Sequence, residues 1–208
     1  MQYPDKIYTI NNEAESQFKE KGSLFIGQVF PVKQALDAEK ILSDIRKKYY
    51  DATHNCYAYK LLDEEEIKYS DDGEPNGTAG IRILNAIHHF QLSNVLIIST
   101  RYYGGTKLGV GPLGKAYYNS ALSAIENSKI IKKEKYSEIL IKFKYDMTSH
   151  VHHFLNTYNA KNIQNLFEDS PIIKCLIKPN LIEKLSTELT SVSKGATKIS
   201  IQTENVYI

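Results

Sequence analysis

Apolar and polar positions along this chain follow two rhythms, one with a period of two and one stepping by threes and fours. KIYTI (6–10) reads as a strand, and SLFIGQVFPV (23–32) as a longer one closed by Pro31. In QALDAEKILSDIRKKYY, Ala38, Ile41, Leu42, Ile45 and Tyr49 recur at helical spacing, which predicts a helix with one stripe against a core. Asn55, Tyr57, Tyr59 and Leu61 then alternate with smaller residues as a strand, and IKYS, beyond the acidic DEEE (63–66), reads as its hairpin partner. The turn-rich DDGEPNG (71–77) runs against a helix in TAGIRILNAIHHF, where Ile83, Leu84, Ile87 and Phe90 form the buried stripe. NVLIIST (94–100) is apolar on both faces and predicts a central strand covered on both sides. GGTKLGVGPLG (104–114) opens a further helix running to about Ser128.

A charge cluster between Lys129 and Lys135 marks a boundary, which places one domain over 1–131 and a second over 132–208. In the second, Ile139, Ile141, Phe143 and Tyr145 alternate as a strand, and Val151, Phe154, Leu155 and Tyr158 form a helical stripe. Strands are expected near 161–168 and 171–178, then a helix with Ile182, Leu185, Leu189 and Val192 inward and Gly195 as its cap. TKISIQTENVYI closes the order βαββαβ, which fits an open sheet with two helices on one face. The fold class is therefore α+β with two domains.

The chain has 208 residues with 42% apolar and 24% charged side chains, which excludes a disordered or disulfide-scaffold protein. It has no apolar run of membrane-spanning length and no signal-peptide core near its start, so it is expected to be cytoplasmic and without a membrane partner. Net charge is only +2, too small to mark a nucleic-acid binder by itself. Arg46, Arg82 and Arg101 are the only arginines, so each arginine is a candidate for a specific task. Cys56 and Cys175 lack zinc or disulfide spacing and read as reduced, buried thiols; neither a metal nor a cofactor is expected.

Three segments carry possible chemistry: DATHNCYAY (51–59), SDDGEPNGTAG (70–80) and RYYGGTKLGVGPLGKAY (101–117). In the last, Gly109, Gly111 and Gly114 fit GxGxxG formally, but Gly109 lies too far past the strand for a dinucleotide fingerprint. Two readings stay open: an anion site built by Tyr102, Gly104, Gly105, Lys107, Gly109, Gly111 and Arg101, or a tight loop that needs glycine for its backbone angles. Asp71, Asp72 and Glu74 form an acidic turn that could cap the next helix together with Thr78, hold Arg101, or bind Mg²⁺. Arg101 is expected to converge with this turn on one cleft. His54 and Cys56 share a strand face, as a nucleophile pair without an orienting partner or as a half-buried histidine. His150, His152 and His153 lie opposite the apolar stripe of their helix, and His150 and His153, one turn apart, read either as a weak divalent site or as solvated histidines. No catalytic constellation is complete.

These three segments, in this order, closely resemble the signature of the IMPACT family in its bacterial members. The resemblance covers residues 1 to about 130, and the tail matches the family's architecture as a pattern. It implies an amino-terminal domain like the second domain of a small-subunit ribosomal protein, and a ferredoxin-like carboxyl domain like the last domain of elongation factor G. Eukaryotic relatives regulate translation but carry a different extra domain, so their partner does not transfer. Pro112 departs from the glycine expected there and removes a backbone donor.

Alternation adds a reading that the resemblance does not supply. If Ile139, Ile141, Phe143, Ile173, Cys175, Ile177, Ile199 and Ile201 face the helices, the opposite face carries Lys142, Lys144, Lys174, Lys178 and Lys198, with no acid on its central rows. Such a face suits a phosphate backbone and lacks the aromatic platforms that base stacking requires. The expected function is a translation-associated binding protein whose partner is RNA, the ribosome or a translation factor. The alternative is an enzyme acting on a small phosphorylated or peptide-like substrate at the 71–80 and 101–114 loops. By resemblance the first domain's fold is shared with GHMP-type kinases, but their phosphate loop has serines and this one does not.

Overall fold

The computed structural model describes residues 3–62, 66–167 and 170–208. Backbone contacts divide the chain into Ile7–Lys132 and Lys133–Ile208, the second unit including the residues up to Lys6.

The first unit is built on β1 (Lys6–Ile10), β2 (Ala14–Glu20), β3 (Ser23–Pro31), α1 (Ala35–Lys48), β4 (His54–Lys60), β5 (Ile67–Ser70), α2 (Gly80–His89), β6 (Val95–Tyr102) and α3 (Val110–Glu126). Five of these strands form an antiparallel sheet in the order β2-β3-β6-β4-β5. The apolar run of β6 explains its central place. Val95 and Ile97 pack with α2 and α3, whereas Leu96 and Ile98 pack with α1 on the opposite face. β4 is buried in the same two-sided way, with Cys56 and Ala58 on one side and Tyr57 and Tyr59 on the other. The expected stripe of α1 is found as Ala38, Leu42 and Ile45, flanked by Ile41 and Tyr49.

β2 is a strand that the hydrophobic pattern does not announce. AESQFKE offers only Ala14 and Phe18 to the core, and pairing with β3 across Lys21 and Gly22, both at positive φ, decides its conformation. Of the acidic link expected at 63–66, positions 63–65 lie outside the described residues.

The second unit runs β7 (Ile130–Lys142), a single tight turn of 3₁₀-helix at Tyr145–Met147, α4 (Thr148–Thr157), β8 (Lys161–Phe167), β9 (Pro171–Ile177), α5 (Pro179–Val192) and β10 (Lys198–Tyr207). Residue 168, expected at the end of β8, lies outside the described residues. The spatial order β10-β7-β9-β8 of an antiparallel sheet is ferredoxin-like. Ile139, Ile141, Ile173, Cys175 and Ile177 face Val151, Leu155, Leu185 and Leu189 of the helices. Lys194 and Gly195, both at positive φ, end α5, and the Gly195 amide donates to the Thr190 carbonyl.

The lysine face needs correction. Glu138 stands on the same side of the sheet, and its carboxylate meets Lys174 Nζ at 2.8 Å. Lys178 lies just past β9, where its Nζ meets Glu134 at 2.8 Å. That ion pair pushes the Lys178 amine up from its ordinary value. Ile172 and Leu176, also on this side, are only 8% and 5% exposed. The surface is therefore mixed rather than a run of lysines. Lys142, Lys144 and Lys198 are exposed, Lys144 beyond the end of β7. His150 and His153 lie on the exposed side of α4. Among the described residues no helix is long and apolar enough to cross a membrane.

Candidate functional site

The three motif segments meet because β4, β6 and the 71–80 turn are neighbours in one sheet. β4 pairs with β6 so that His54 stands opposite Arg101 and Cys56 opposite Ser99. The turn following β5 folds over the start of β4. His54 Nδ1 lies 2.8 Å from the Asp72 carbonyl, so that nitrogen carries the proton and donates. The Cys56 thiol donates to the Asp71 carbonyl at 2.9 Å. The two strand residues thus hold the backbone of the acidic turn, the orienting contact that their spacing alone did not reveal.

The three carboxylates of the turn each serve a different set of partners. Asp71 accepts from the amides of Ala79 and Gly80 through Oδ1 at 2.9 and 2.8 Å, and from Gly77 through Oδ2 at 2.9 Å. It is the cap of α2, reaching the otherwise unpaired donors of the first turn. The cap expected from Thr78 is absent: its hydroxyl donates back to Pro75, because the intervening turn aims it away from the helix. Asp72 accepts from the Asn55 amide at 2.7 Å and from Arg46 at 2.6 Å.

Glu74 points inward and meets Arg101. Their side chains are only 4% and 6% exposed, and Arg101 Nη1 donates to Glu74 Oε1 at 2.5 Å. Tyr117 of α3 donates to the same oxygen at 2.7 Å, and His54 Nε2 lies 3.8 Å from Oε2. Ser23 Oγ accepts from Arg101 Nη2 at 3.2 Å and from the Gly104 amide at the same distance. The guanidinium sits 5.4 Å from the ring centres of Phe25 and Tyr103. Arginine suits this place because a planar, weakly hydrated cation can be buried between two rings while its fork reaches two acceptors.

Around this centre, burial holds a thiol and a phenol in their neutral forms. The Cys56 thiol is pushed up by desolvation and by the neighbouring carboxylates, although a hydrogen bond with Tyr117 pulls the other way. Desolvation also pushes the Tyr117 hydroxyl up, aided by Cys56 and Glu74. Neither group is an activated nucleophile in this setting.

The remaining expected residues divide. Tyr102 donates to Asp51 at 2.8 Å, a bond that pushes its hydroxyl up to about 12. Gly104 rests against the β2–β3 turn so closely that a Cβ would stand 1.9 Å from the Gly22 carbonyl carbon, so this glycine is required by packing. Gly105, Lys107 and Gly109 are exposed, and Gly111 already lies in the first turn of α3. Among the described residues no three His, Cys, Asp or Glu side chains gather so as to hold a metal ion.

Motif reading missed Ser23 and Tyr117. Tyr117 had a signal, since it lies in the apolar stripe of α3 and a buried hydroxyl there needs a partner. Ser23 had none, because its role depends on β3 lying beside β6.

The comparisons with known proteins fit this arrangement. The model of the Impact N-terminal domain matches residues 21–125, a span containing Ser23, His54, Asp71, Glu74, Arg101 and Tyr117. An IMPACT family member of Haemophilus influenzae is 32% identical over 187 residues, covering 87% of this chain and 89% of that protein. The IMPACT family member YigZ of Escherichia coli is 25% identical over 182 residues, covering 86% and 89%. YvyE of Bacillus subtilis is 33% identical over 128 residues, which is 61% of this chain and 59% of YvyE. A crystal structure described as a hypothetical protein has a TM-score of 0.67 over 94% of this chain and 97% of its own, at 23% identity, a likeness of fold. With the motif segments inside the matched domain and both units covered by relatives, this chain belongs to the IMPACT family.

Proposed function

We propose that this protein is a translation-associated regulator that works by binding, and that its second unit contacts RNA. The observation carrying the reading is at one end of the second sheet. Lys142 and Lys198 stand directly opposite each other on β7 and β10, with the exposed Lys144 two positions beyond. Like charges in opposed positions destabilise a sheet, and a phosphate placed between them reverses that cost. The first unit supports binding over turnover, since Asp71, Asp72, Glu74 and Arg101 are all engaged in holding the fold together. The alternative, an enzyme acting at the 71–80 and 101–114 loops, has weaker support because the neighbouring thiol and phenol are held neutral by burial.

The test is an anisotropy titration of labelled tRNA and ribosomal RNA fragments at several salt concentrations. Affinity is expected to fall steeply with salt, and replacing Lys142, Lys144 and Lys198 together by glutamine flattens that slope. Replacing Lys174 changes it less, because Glu138 already neutralises that amine. Binding no tighter than about 100 μM at physiological salt removes RNA as the partner.

A further inference from the structure

We propose that the groove between β2, β3 and the end of α1 binds a small organic amine, a single ammonium carried on a branched apolar body. The inference is independent of the RNA reading, because the groove lies in the first unit. α1 packs over β4 and β6 through Leu42 and Ile45, against Tyr57, Tyr59, Leu96 and Ile98. The two strands beyond them keep a groove of about 370 Å³ on that side, with Phe30 and Ile45 as its apolar wall. Glu15 of β2 stands directly opposite Gln28 of β3, so both side chains rise from one face, with Phe30 two positions further along.

Gln28 is the polar centre of this groove. It is 3% exposed, and its Nε2 donates to Glu15 Oε2 at 3.1 Å and to the Tyr49 hydroxyl at 3.4 Å. Tyr49 donates in turn to the same carboxylate oxygen at 3.3 Å. The reversed amide would set its oxygen against that carboxylate, so the nitrogen is held on the Glu15 side and Oε1 is turned away. Oε1 is buried and has no donor. A buried amide oxygen left in this state is uncommon and costly, and an ammonium, which offers only donors, supplies what is missing. The surrounding charge selects a cation as well. Glu13 and Glu15 line the groove with a single amine, Lys48, and among the described residues neither carboxylate forms an ion pair. The Lys48 amine rests instead 4.8 Å from the ring centre of Tyr49. Two carboxylates against one amine leave the balance negative. Lys48 also limits the ligand to one positive charge, since a second would meet its own. Phe30 and Ile45 then take the apolar body.

The test follows the full chain by heteronuclear NMR as isoamylamine is titrated in, with isovalerate and ammonium chloride as controls at matched pH and ionic strength. The amine is expected to bind saturably and to shift the Gln28 side-chain amide, while both controls leave it unmoved. Glu15→Gln should weaken binding about tenfold, because it removes the charge and keeps the shape. Gln28→Leu should weaken it by about as much, because the oxygen that lacks a donor is gone. If Gln28→Leu does not fold, Lys48→Met at an exposed position serves instead, and should tighten the amine about threefold by removing a like charge. Leucine, which adds a carboxylate to the same body, separates the sources of the ammonium. Binding as tight as that of the amine assigns it to an amino acid, and weaker binding assigns it to a free amine. The proposal is overturned by no saturation up to about 10 mM, past the millimolar range expected of so small a ligand. It is equally overturned by an equal response to isovalerate or ammonium chloride, by undiminished binding to Glu15→Gln, or by shifts confined to residues away from Gln28.

Discussion

Two ion pairs in this molecule are chemically alike and physically opposite. Glu74 and Arg101, in the first unit, are buried and enclosed by Tyr117, Ser23, Phe25 and Tyr103. Glu138 and Lys174, on the sheet of the second, are 25% and 37% exposed. Water solvates the second pair whether or not it forms, so the attraction gained is nearly cancelled. The first pair has exchanged its water for fixed partners, so neither member tolerates loss of the other. A carboxylate near a cation therefore says little until its burial is known. This is why the motif centre reads as an internal scaffold, whereas the sheet leaves its charged groups open to solvent.

The largest effect expected is at the buried pair. Arg101→Met leaves Glu74 buried without its cation and should cost about 3–5 kcal/mol in denaturant unfolding. Adding Glu74→Gln should restore much of that loss, because the uncompensated charge is gone. A single-variant loss under about 1 kcal/mol would place this pair in the same class as the surface one.

Next in size is the cap. Asp71→Ala removes the acceptor for three amides and should cost about 2 kcal/mol, seen as lower stability and faster hydrogen exchange at Ala79 and Gly80. Thr78→Val should leave those two amides unchanged.

The buried thiols extend the comparison to pH. Burial raises Cys175, in the second unit, from 9.0 to about 12. The folded form keeps the thiol neutral where the unfolded chain ionises it, so this stability is fully present below pH 9.0 and is lost as pH rises toward about 12. Between pH 9 and 10 the loss should be about 1 kcal/mol, and Cys175→Ala should flatten that slope while lowering stability overall through the cavity it leaves. The measurement is urea unfolding at a series of alkaline pH values. Cys56 shifts in the same direction in the first unit, so both halves should be alkaline-labile.

The smallest stability effect is expected at the exposed pair. Glu138→Gln should change stability by no more than about 0.5 kcal/mol. The same substitution leaves Lys174 without its carboxylate and should tighten RNA binding, so stability and affinity separate at this residue.

The sequence by itself determined the order of elements wherever one face is strongly apolar. The stripe of α1, the two-sided β6 and the alternation of β7 were legible because periodicity records local backbone geometry. The three motif segments were legible as belonging together. Tertiary structure alone decided which partner each polar group took. Asp71 rather than Thr78 caps α2, Tyr117 reaches Glu74 across 43 positions, and β2 becomes a strand because β3 lies beside it. It also placed Glu138 next to Lys174, through a register between β7 and β9 that no local pattern specifies. Hydrophobic periodicity fixes which way a side chain faces, whereas a buried donor or charge takes whatever partner the folded chain brings within about 3 Å.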